Sequence, residues 1–237
     1  MPSTTALFRP FESENLSLKN RVVMAPMTRN MCPDHIPGDH VVDYYRKRAE
    51  GGVGLIITEG THPNVDAVEG YRNVPFFHGE ALDGWRRVVD AVHNAGGKIA
   101  PQLWHVGGMR GSGDIKIGDG DLKGYTPSGM NVPGKHNRHE MSDSEVQDAI
   151  DAFVAGVISA KETGFDAVEL HGAHGYLLDQ FFWAGTNIRE DRWGGSLAQR
   201  GNFVAEIVRA SRAAVGSDFP IILRYSQWKQ QDFTARL

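Results

Sequence analysis

The sequence predicts an α/β protein, more specifically part of a (β/α)8 barrel, the TIM-barrel architecture. Three observations carry this prediction: short apolar runs alternate with helical patterns, polar side chains follow the runs, and several different runs contribute them. The alternation is typical of parallel strands joined by right-handed crossovers. Barrel active sites form at the carboxyl ends of several strands, whereas a doubly wound sheet concentrates its site at one switch point.

Five apolar runs are the candidate strands, and each leads into a loop marked by glycine, proline or histidine. They are Arg21–Ala25, Val53–Thr58, Lys98–Leu103, Phe165–Leu170 and Pro220–Arg224. Continuous apolar runs of this kind are typical of strands that are buried on both faces of a parallel sheet. We therefore expect the first five strands of a barrel in this chain.

Helical patterns separate the candidate strands. The weakest is Val41–Ala49, which ends at a pair of glycines. Between residues 81 and 92, apolar side chains recur at spacings of three and four and so share one helical face. Ser142–Glu145 is a capping box that precedes a long apolar stripe. A further helix is predicted over Leu197–Val215, with Gly216 as its C-terminal cap.

The 237 residues are expected to form a single domain, residues 1–237, covering roughly the first five β/α units. A complete barrel takes about 250 residues when its loops are short. Two long predicted loops, His105–Met141 and His171–Ser196, absorb length, and residues 105–141 are expected to form a lid-like excursion after the third strand. Because five parallel strands alone leave open sheet edges, we expect a truncated barrel.

Composition argues against several function classes. A formal charge of −4 with scattered basic residues gives no reason to expect a nucleic-acid partner. No stretch approaches the roughly 18 apolar residues of a membrane span. The only cysteine, Cys32, fits a reducing compartment, and the first residues lack the layout of a signal peptide. We therefore expect a cytoplasmic, enzyme-sized domain that does not bind membranes.

The segment Glu169–Tyr176 is the most informative stretch for function. His171 and His174 lie three residues apart at a predicted strand end, and the phenol of Tyr176 follows two residues later. Two N–H donors and one O–H at a single strand end can hold an anionic oxygen while a nearby atom receives a proton. The same side chains could also be ordinary polar loop residues that bond to the backbone.

A metal site is the other interpretation of these histidines. It would enlist His105 and Glu169 as further ligands, because zinc sites use histidine and carboxylate. The chain has no HExxH motif and no cysteine cluster. We also expect strand alternation to turn Glu169 away from His171. No metal is therefore predicted, although a metal-dependent hydrolase on a TIM barrel stays an alternative function.

Two more polar residues lie at the ends of candidate strands. Gln102 is nearly the last residue of the third strand, and its amide both donates and accepts, which matches a heterocycle edge with N–H beside C=O. Arg224 ends the fifth, otherwise apolar strand, where an unpaired guanidinium is costly. Arg224 therefore predicts either an anionic ligand or a structural ion pair with a carboxylate.

Six motifs occur in order along the chain. They are NRVVMAPMTR at 20–29, TEG at 58–60, PQLWHVG at 101–107, ELHGAHGYLLDQFF at 169–182, NIREDRWGGSLAQR at 187–200 and LRYSQWK at 223–229. Together they resemble the old yellow enzyme family of FMN-dependent ene-reductases on a (β/α)8 barrel, and the similarity runs from Leu7 to Leu237. Because the motifs are long and occur in order, the resemblance is more specific than any single spacing.

The resemblance implies a flavin site. The residues expected to contact FMN are Pro26, Met27, Thr28, Gly60, Gln102 and Arg224. Thr28 would hydrogen-bond the redox-active edge, and Gly60, which lacks a Cβ, would let the backbone approach the ring. Gln102 would pair with the pyrimidine ring, and Arg224 would face the region that is negative in reduced flavin.

The resemblance also implies a substrate and a reaction. The enzyme would reduce activated C=C bonds of α,β-unsaturated carbonyl or nitro compounds with hydride from NADPH or NADH. His171 and His174 would hold the substrate carbonyl, Tyr176 would donate the proton, and Trp104 would help to wall the pocket.

One departure from the family concerns the FMN phosphate. The resemblance implies that the phosphate is held at loops after the seventh and eighth strands, whereas we expect only the first five strands in this chain. We therefore expect this chain to bind FMN weakly or not at all unless another chain completes the barrel. An inactive barrel fragment that associates with a partner chain stays an alternative, and a homo-oligomer is a further expectation.

Overall fold

The structure is a computed structural model that describes residues 4–68, 73–110 and 124–235. Nine strands occur within these ranges: β1 (Phe11–Glu12), β2 (Ser17–Leu18), β3 (Val23–Met24), β4 (Leu55–Thr61), β5 (Lys98–Leu103), β6 (Tyr125–Thr126), β7 (His139–Glu140), β8 (Val168–His174) and β9 (Ile221–Lys229). Five of them form one parallel sheet in the spatial order β3-β4-β5-β8-β9. All five predicted strands are therefore present, and the predicted bounds of β5 are confirmed.

Helices connect the parallel strands, as the sequence predicts. Within the described ranges the α-helices are α1 (Asp39–Glu50), α2 (Ala81–Asn94), α3 (Asp143–Thr163), α4 (Leu177–Phe182), α5 (Leu197–Arg200) and α6 (Asn202–Val215). The capping box is confirmed, because the Ser142 hydroxyl accepts a hydrogen bond from the Glu145 N–H and the Glu145 carboxylate accepts one from the Ser142 N–H. No described helix is long and apolar enough to cross a membrane.

The largest hydrophobic core lies between the sheet and the helices. Its members include Ile56, Ile99, Leu103, Val168 and Leu170 from strands, and Trp85, Val88, Val92, Phe153, Val157, Phe203 and Ile207 from helices. A smaller cluster on the other face of the sheet consists of Leu18, Leu55, Ile57, Ala100 and Ala167. Since neighbouring residues of a strand point to opposite faces, the apolar runs fill both clusters. The predicted two-sided burial is therefore found in β4, β5 and β8, whereas the edge strands β3 and β9 are partly exposed.

The predicted loop over His171–Ser196 is wrong in its first part. Strand β8 continues through His174, and the short helix α4 follows. The reason is tertiary: β8 pairs in parallel with β9, which places His171 beside Arg224 and Gly172 beside Tyr225. The pairing satisfies backbone N–H and C=O groups that a local apolar pattern does not report. Strand β9 likewise runs five residues beyond its predicted end, to Lys229.

The predicted helix Leu197–Val215 is divided. Helix α5 ends at Arg200, Gly201 follows, and α6 begins at Asn202. Glycine has a low helix propensity, which fits a break at this residue. The predicted cap is confirmed, because Gly216 follows α6 with a φ of +79°.

The expected lid-like excursion, residues 105–141, is described in part. Its described portion contains β6 and β7, which pair in parallel with each other rather than with the main sheet. Residues 111–123 lie outside the described residues. Whether the excursion acts as a lid stays a prediction.

Candidate active site

One cavity of about 170 Å³ lies at the carboxyl ends of the main-sheet strands. Its lining residues, all predicted from the sequence, are Pro26, Thr28, Gln102, Trp104, His171, His174, Tyr176 and Arg224. They come from the loop after β3, from the end of β5 and the residue that follows it, and from β8, its following turn and β9. The structure thus brings together eight of the ten predicted site residues.

The other two predicted residues, Met27 and Gly60, are not among the residues that line this cavity. The Met27 side chain is half exposed, at 51%. Gly60 lies against Trp104, and a Cβ at position 60 would be 2.4 Å from Cε3 of the indole ring. Glycine is therefore required here for the position of Trp104, which itself lines the cavity.

His171 is a buried, neutral imidazole on β8. Burial, followed by the positive charges of His174 and Arg224, lowers the pKa of His171 to about 3. Its ring centre lies 5.4 Å from that of His174 and 5.1 Å from that of Tyr176. Its Nδ1 atom is buried and has no hydrogen-bond partner among the described residues. The hydrogen-bonding capacity of this ring nitrogen is therefore not used by the described residues.

His174 adopts a left-handed backbone conformation, with a φ of +64°. The conformation is held from the β9 side, because the His174 N–H donates to the Ser226 hydroxyl at 2.9 Å and its carbonyl accepts from the Gln230 N–H at 3.0 Å. The imidazole stacks on Trp228 with ring centres 4.3 Å apart. Burial, and then the charges of Arg224 and Lys229, lowers the pKa of His174.

The backbone N–H and C=O of Gly175, the next residue, are both hydrogen-bonded to side chains. Its N–H donates to Asp179 Oδ2 at 2.7 Å, and its carbonyl accepts from the side-chain amides of Gln180 and Gln231, each at 2.9 Å. The second oxygen of Asp179 pairs with Lys229 Nζ at 2.9 Å, and both side chains are almost fully buried. This buried ion pair therefore anchors the turn that carries the two histidines and the phenol.

Tyr176 closes one side of the cavity. Its ring meets Trp104 edge-on with ring centres 5.0 Å apart, and its hydroxyl donates to Gln230 Oε1 at 3.2 Å. Trp104 Nε1 is buried without a hydrogen-bond partner among the described residues. The hydroxyl of Tyr176, the imidazole of His171 and the imidazole of His174 thus share one end of the cavity.

The expectation that Glu169 turns away from His171 is wrong. Residues two apart on a strand share a face, and the Gln102 Nε2 group donates to Glu169 Oε1 at 2.7 Å from the adjacent strand. Burial raises the pKa of Glu169, against the opposing effects of Gln102 and then Arg224. No carboxylate lies within 4.0 Å of the Arg224 guanidinium in the described parts of the chain, so the predicted structural ion pair is not found there.

A second part of the cavity wall is the loop after β3, which carries Pro26 and Thr28. It is anchored at the next residue, because the Arg29 guanidinium pairs with the buried Glu59 carboxylate on β4 at 2.5 Å, and the Arg29 N–H donates to it at 3.0 Å. The same guanidinium lies over the Tyr44 ring, 4.0 Å from its centre. Neither Arg29 nor Glu59 was predicted as part of the site.

Nearly the whole chain matches a known family model. Residues 6–234 match the model of the NADH:flavin oxidoreductase / NADH oxidase family. This chain belongs to that family. The resemblance to the old yellow enzymes is thereby confirmed.

Curated relatives of this flavin oxidoreductase family cover nearly the whole chain. Over 225 residues the chain is 38% identical to 12-oxophytodienoate reductase 7 of Oryza sativa subsp. japonica, a match that covers 90% of the chain and 56% of the relative. It is also 38% identical over 224 residues to flavin oxidoreductase hxnT of Emericella nidulans, covering 90% of the chain and 57% of that protein. The chain thus spans little more than half the length of these relatives.

Solved structures of the family are similar in fold. Morphinone reductase superimposes with a TM-score of 0.82 at 35% identity, covering 92% of this chain and 62% of that one. Old Yellow Enzyme from a Pichia species gives a TM-score of 0.84 at 29% identity, covering 96% and 61%. The similarity confirms that the five-stranded sheet is part of a (β/α)8 barrel.

The metal interpretation required His105 beside the paired histidines. In the structure, His105 instead lines a separate small cavity with Asp66, Tyr125 and Glu145. Burial lowers the pKa of His105 to about 3. Across the described ranges, no group of three or more histidine, cysteine, aspartate or glutamate side chains is placed to hold a metal ion.

The anchoring residues that sequence reasoning missed share a recognisable signal. Asp179 lies inside the apolar helix α4, and Lys229 ends the largely apolar strand β9. Charged residues are almost never fully buried unless they are paired. Asp179, the only charged residue of α4, therefore predicts a buried basic partner, although not which segment supplies it.

Proposed function

We propose that this chain carries the flavin-ring and substrate sites of an FMN-dependent ene-reductase. The reaction would be reduction of an activated C=C bond, in an α,β-unsaturated carbonyl or nitro compound, with NADPH or NADH as the reductant. The observation that carries the proposal is the convergence of two imidazoles and a phenol on one cavity that also contains an amide and a guanidinium. Membership of the flavin oxidoreductase family supports it, and a morphinone reductase structure contains tetrahydroNAD.

The donor set of the cavity fits a flavin ring. Gln102 offers both amide functions, and Arg224 offers a cation that could face the negative side of a reduced ring. Pro26 and Thr28 would lie along the opposite side, with Met27 and Gly60 as the remaining proposed contacts. When bound, FMN would supply the hydride chemistry, while the protein supplies orientation and electrostatics.

His171 and His174 would hold the substrate oxygen. As the C=C bond is reduced, negative charge develops on the carbonyl or nitro oxygen, and neutral imidazoles stabilise it by donating N–H bonds. The low pKa of His171 keeps it neutral at pH 7, so it acts as a donor rather than as an acid. A well-placed donor of this kind contributes roughly 2.7–4 kcal/mol to the transition state.

Tyr176 would be the proton donor to the α-carbon. Its hydroxyl shares the histidine end of the cavity, and the contact with Trp104 and the bond to Gln230 fix the direction of the phenol. Trp104 would limit the space for the substrate beside it. The roles of these residues follow from the family resemblance and are supported by their common location.

Flavin binding by the purified chain is the first test. We expect a Kd that is similar for FMN and for lumiflavin, which has the same ring but no ribityl phosphate, since the expected phosphate site follows strands seven and eight. Titration with detection of flavin fluorescence measures both constants. Absence of binding for both ligands would overturn the proposal, and much tighter binding of FMN would overturn the expectation that phosphate contacts are missing.

Tyr176→Phe is the second test, in chain loaded with saturating FMN. Flavin reduction by the nicotinamide should be retained, whereas reoxidation by 2-cyclohexenone should slow by about 10²–10⁴-fold because general acid catalysis is lost. Stopped-flow absorbance of the flavin separates the two half-reactions. Equal slowing of both would show that Tyr176 is not the proton donor.

A second candidate is an incomplete barrel that associates with another chain. Exposed apolar side chains on the edge strand β9 favour this candidate, because Tyr225 is 70% and Leu223 40% exposed there. Sedimentation velocity of the purified chain distinguishes a monomer from a homo-oligomer. A cytoplasmic location and the absence of nucleic-acid partners stay predictions of the sequence.

A further inference from the structure

We propose that Glu169 sets the direction of the Gln102 side-chain amide and so makes the cavity selective for a heterocycle that presents an N–H group. Glu169 would thus be a positioning residue that acts through Gln102. The inference rests on the proposed function, because the heterocycle is taken to be the flavin ring. It adds a residue for which the family resemblance implies no role.

The two side chains are placed by two adjacent interior strands of the sheet. Gln102 on β5 lies directly opposite Glu169 on β8 in the parallel register. Both residues are buried, at 3% and 5% exposed, and Gln102 Nε2 lies 2.7 Å from Glu169 Oε1. Neither strand lies at an edge of the sheet, so each is paired with a neighbouring strand on both sides.

The chemistry of the carboxylate determines how the amide lies. An ionised carboxylate only accepts hydrogen bonds, so Gln102 must present its NH2 group to Glu169. The amide oxygen then points away from Glu169, and it accepts no hydrogen bond from the described residues. Since Gln102 lines the cavity, this oxygen is an acceptor available to a ligand N–H.

Burial raises the pKa of Glu169, and the Gln102 hydrogen bond and the charge of Arg224 oppose that rise. Arg224 lies on β9, opposite His171 in the parallel register. The 2.7 Å contact with Glu169 Oε1 is what holds the NH2 group of Gln102 in this orientation.

A matched pair of ligands tests the selectivity. Lumiflavin has an imide N–H at N3, and 3-methyllumiflavin replaces that hydrogen with a methyl group. We expect the wild-type chain to bind lumiflavin roughly tenfold or more tightly than its methyl derivative, as loss of one buried hydrogen bond implies. In Glu169→Gln, whose amide lets Gln102 turn either way, the ratio should fall to within about threefold.

The matched control is Glu59→Gln, which neutralises a buried carboxylate on β4, the strand on the other side of β5, that pairs with Arg29 rather than with Gln102. This control should keep the wild-type ratio of the two dissociation constants, even if both constants rise. An unchanged ratio in Glu169→Gln would overturn the inference. A ratio that falls equally in both variants would also overturn it, because the effect would not depend on the Gln102 contact.

A measurement without flavin separates the inference from the proposed function. In the ¹H–¹⁵N spectrum of the ligand-free chain, one side-chain N–H of Gln102 should be shifted downfield by its bond to a carboxylate, and should move upfield in Glu169→Gln. Its signal is assigned by its loss in Gln102→Leu. If no flavin binds but this shift occurs, the proposed function fails and the orienting role of Glu169 stands. If flavin binds and the shift is absent, only the inference fails.

Discussion

The two walls of the cavity are anchored by two buried ion pairs of different kinds. On the β3 side, Arg29 pairs with Glu59 and holds the loop that carries Thr28. On the β8 side, Lys229 pairs with Asp179, which holds the turn at Gly175. Both pairs join segments that are distant in sequence, so each wall depends on a neighbouring strand or helix for its position.

The two ion pairs differ in the contacts that one partner keeps when the other is removed. The Arg29 side chain is 10% exposed and its guanidinium also lies over Tyr44, so it retains a cation–π contact without Glu59. Lys229 is 0% and Asp179 2% exposed, and the ammonium is a compact charge that lies over no aromatic ring of the described residues. The β8 wall, which carries the proposed catalytic groups, should therefore be the more sensitive of the two.

Lys229→Met should have the largest effect. It leaves the Asp179 carboxylate buried with only the Gly175 N–H as a donor, and removal of one partner from a buried pair costs about 3–5 kcal/mol. Urea unfolding followed by circular dichroism measures the free energy. The matched control is Lys98→Met, whose pair with Asp166 has a lysine that is 45% exposed, and which should cost less than about 1 kcal/mol. Equal losses would contradict the comparison.

Glu59→Gln should cost less, about 2 kcal/mol, because the glutamine still accepts one bond and Arg29 keeps its place over Tyr44. The free energy of unfolding by urea again gives the value. A loss as large as that of Lys229→Met would show that the aromatic contact does not support the β3 wall.

Lowering the pH should reduce the free energy of unfolding because of His171 on the β8 wall. The unfolded chain binds a proton at the ordinary pKa near 6.5, but folded His171 resists protonation until about pH 3. Stability from this residue is therefore complete above pH 6.5 and is lost as pH falls toward 3, by at most about 1.4 kcal/mol per pH unit. His171→Gln should reduce the slope of unfolding free energy against pH. An unchanged slope between pH 4 and 6 would contradict this prediction.

Ser226→Ala should have the smallest effect, about 1 kcal/mol, because it removes one neutral hydrogen bond to the His174 N–H. Loss of that bond should also loosen the left-handed turn. Hydrogen exchange of the His174 amide measures this locally, and exchange of the Gly175 amide, which is bonded to Asp179, serves as the internal control. Faster exchange at Gly175 than at His174 would contradict a local effect.

Structural elements that depend on neighbouring residues of the chain could be predicted from the sequence. The bounds of β5, the capping box at Ser142 and the cap at Gly216 were all predicted, because strand burial and capping depend on residues a few positions apart. Prediction from the sequence failed where pairing with another strand decides the outcome. The extension of β8 to His174 and the direction of Glu169 are examples.

The sequence by itself determined the family, the barrel architecture and which side chains line the cavity, because motif order and strand-end polar residues are written along the chain. Only the tertiary structure decided what holds those side chains. The contacts of Glu169 with Gln102 and of Lys229 with Asp179 join residues 67 and 50 positions apart. No local pattern specifies which distant charges meet, since that depends on the strand order and register of the folded sheet.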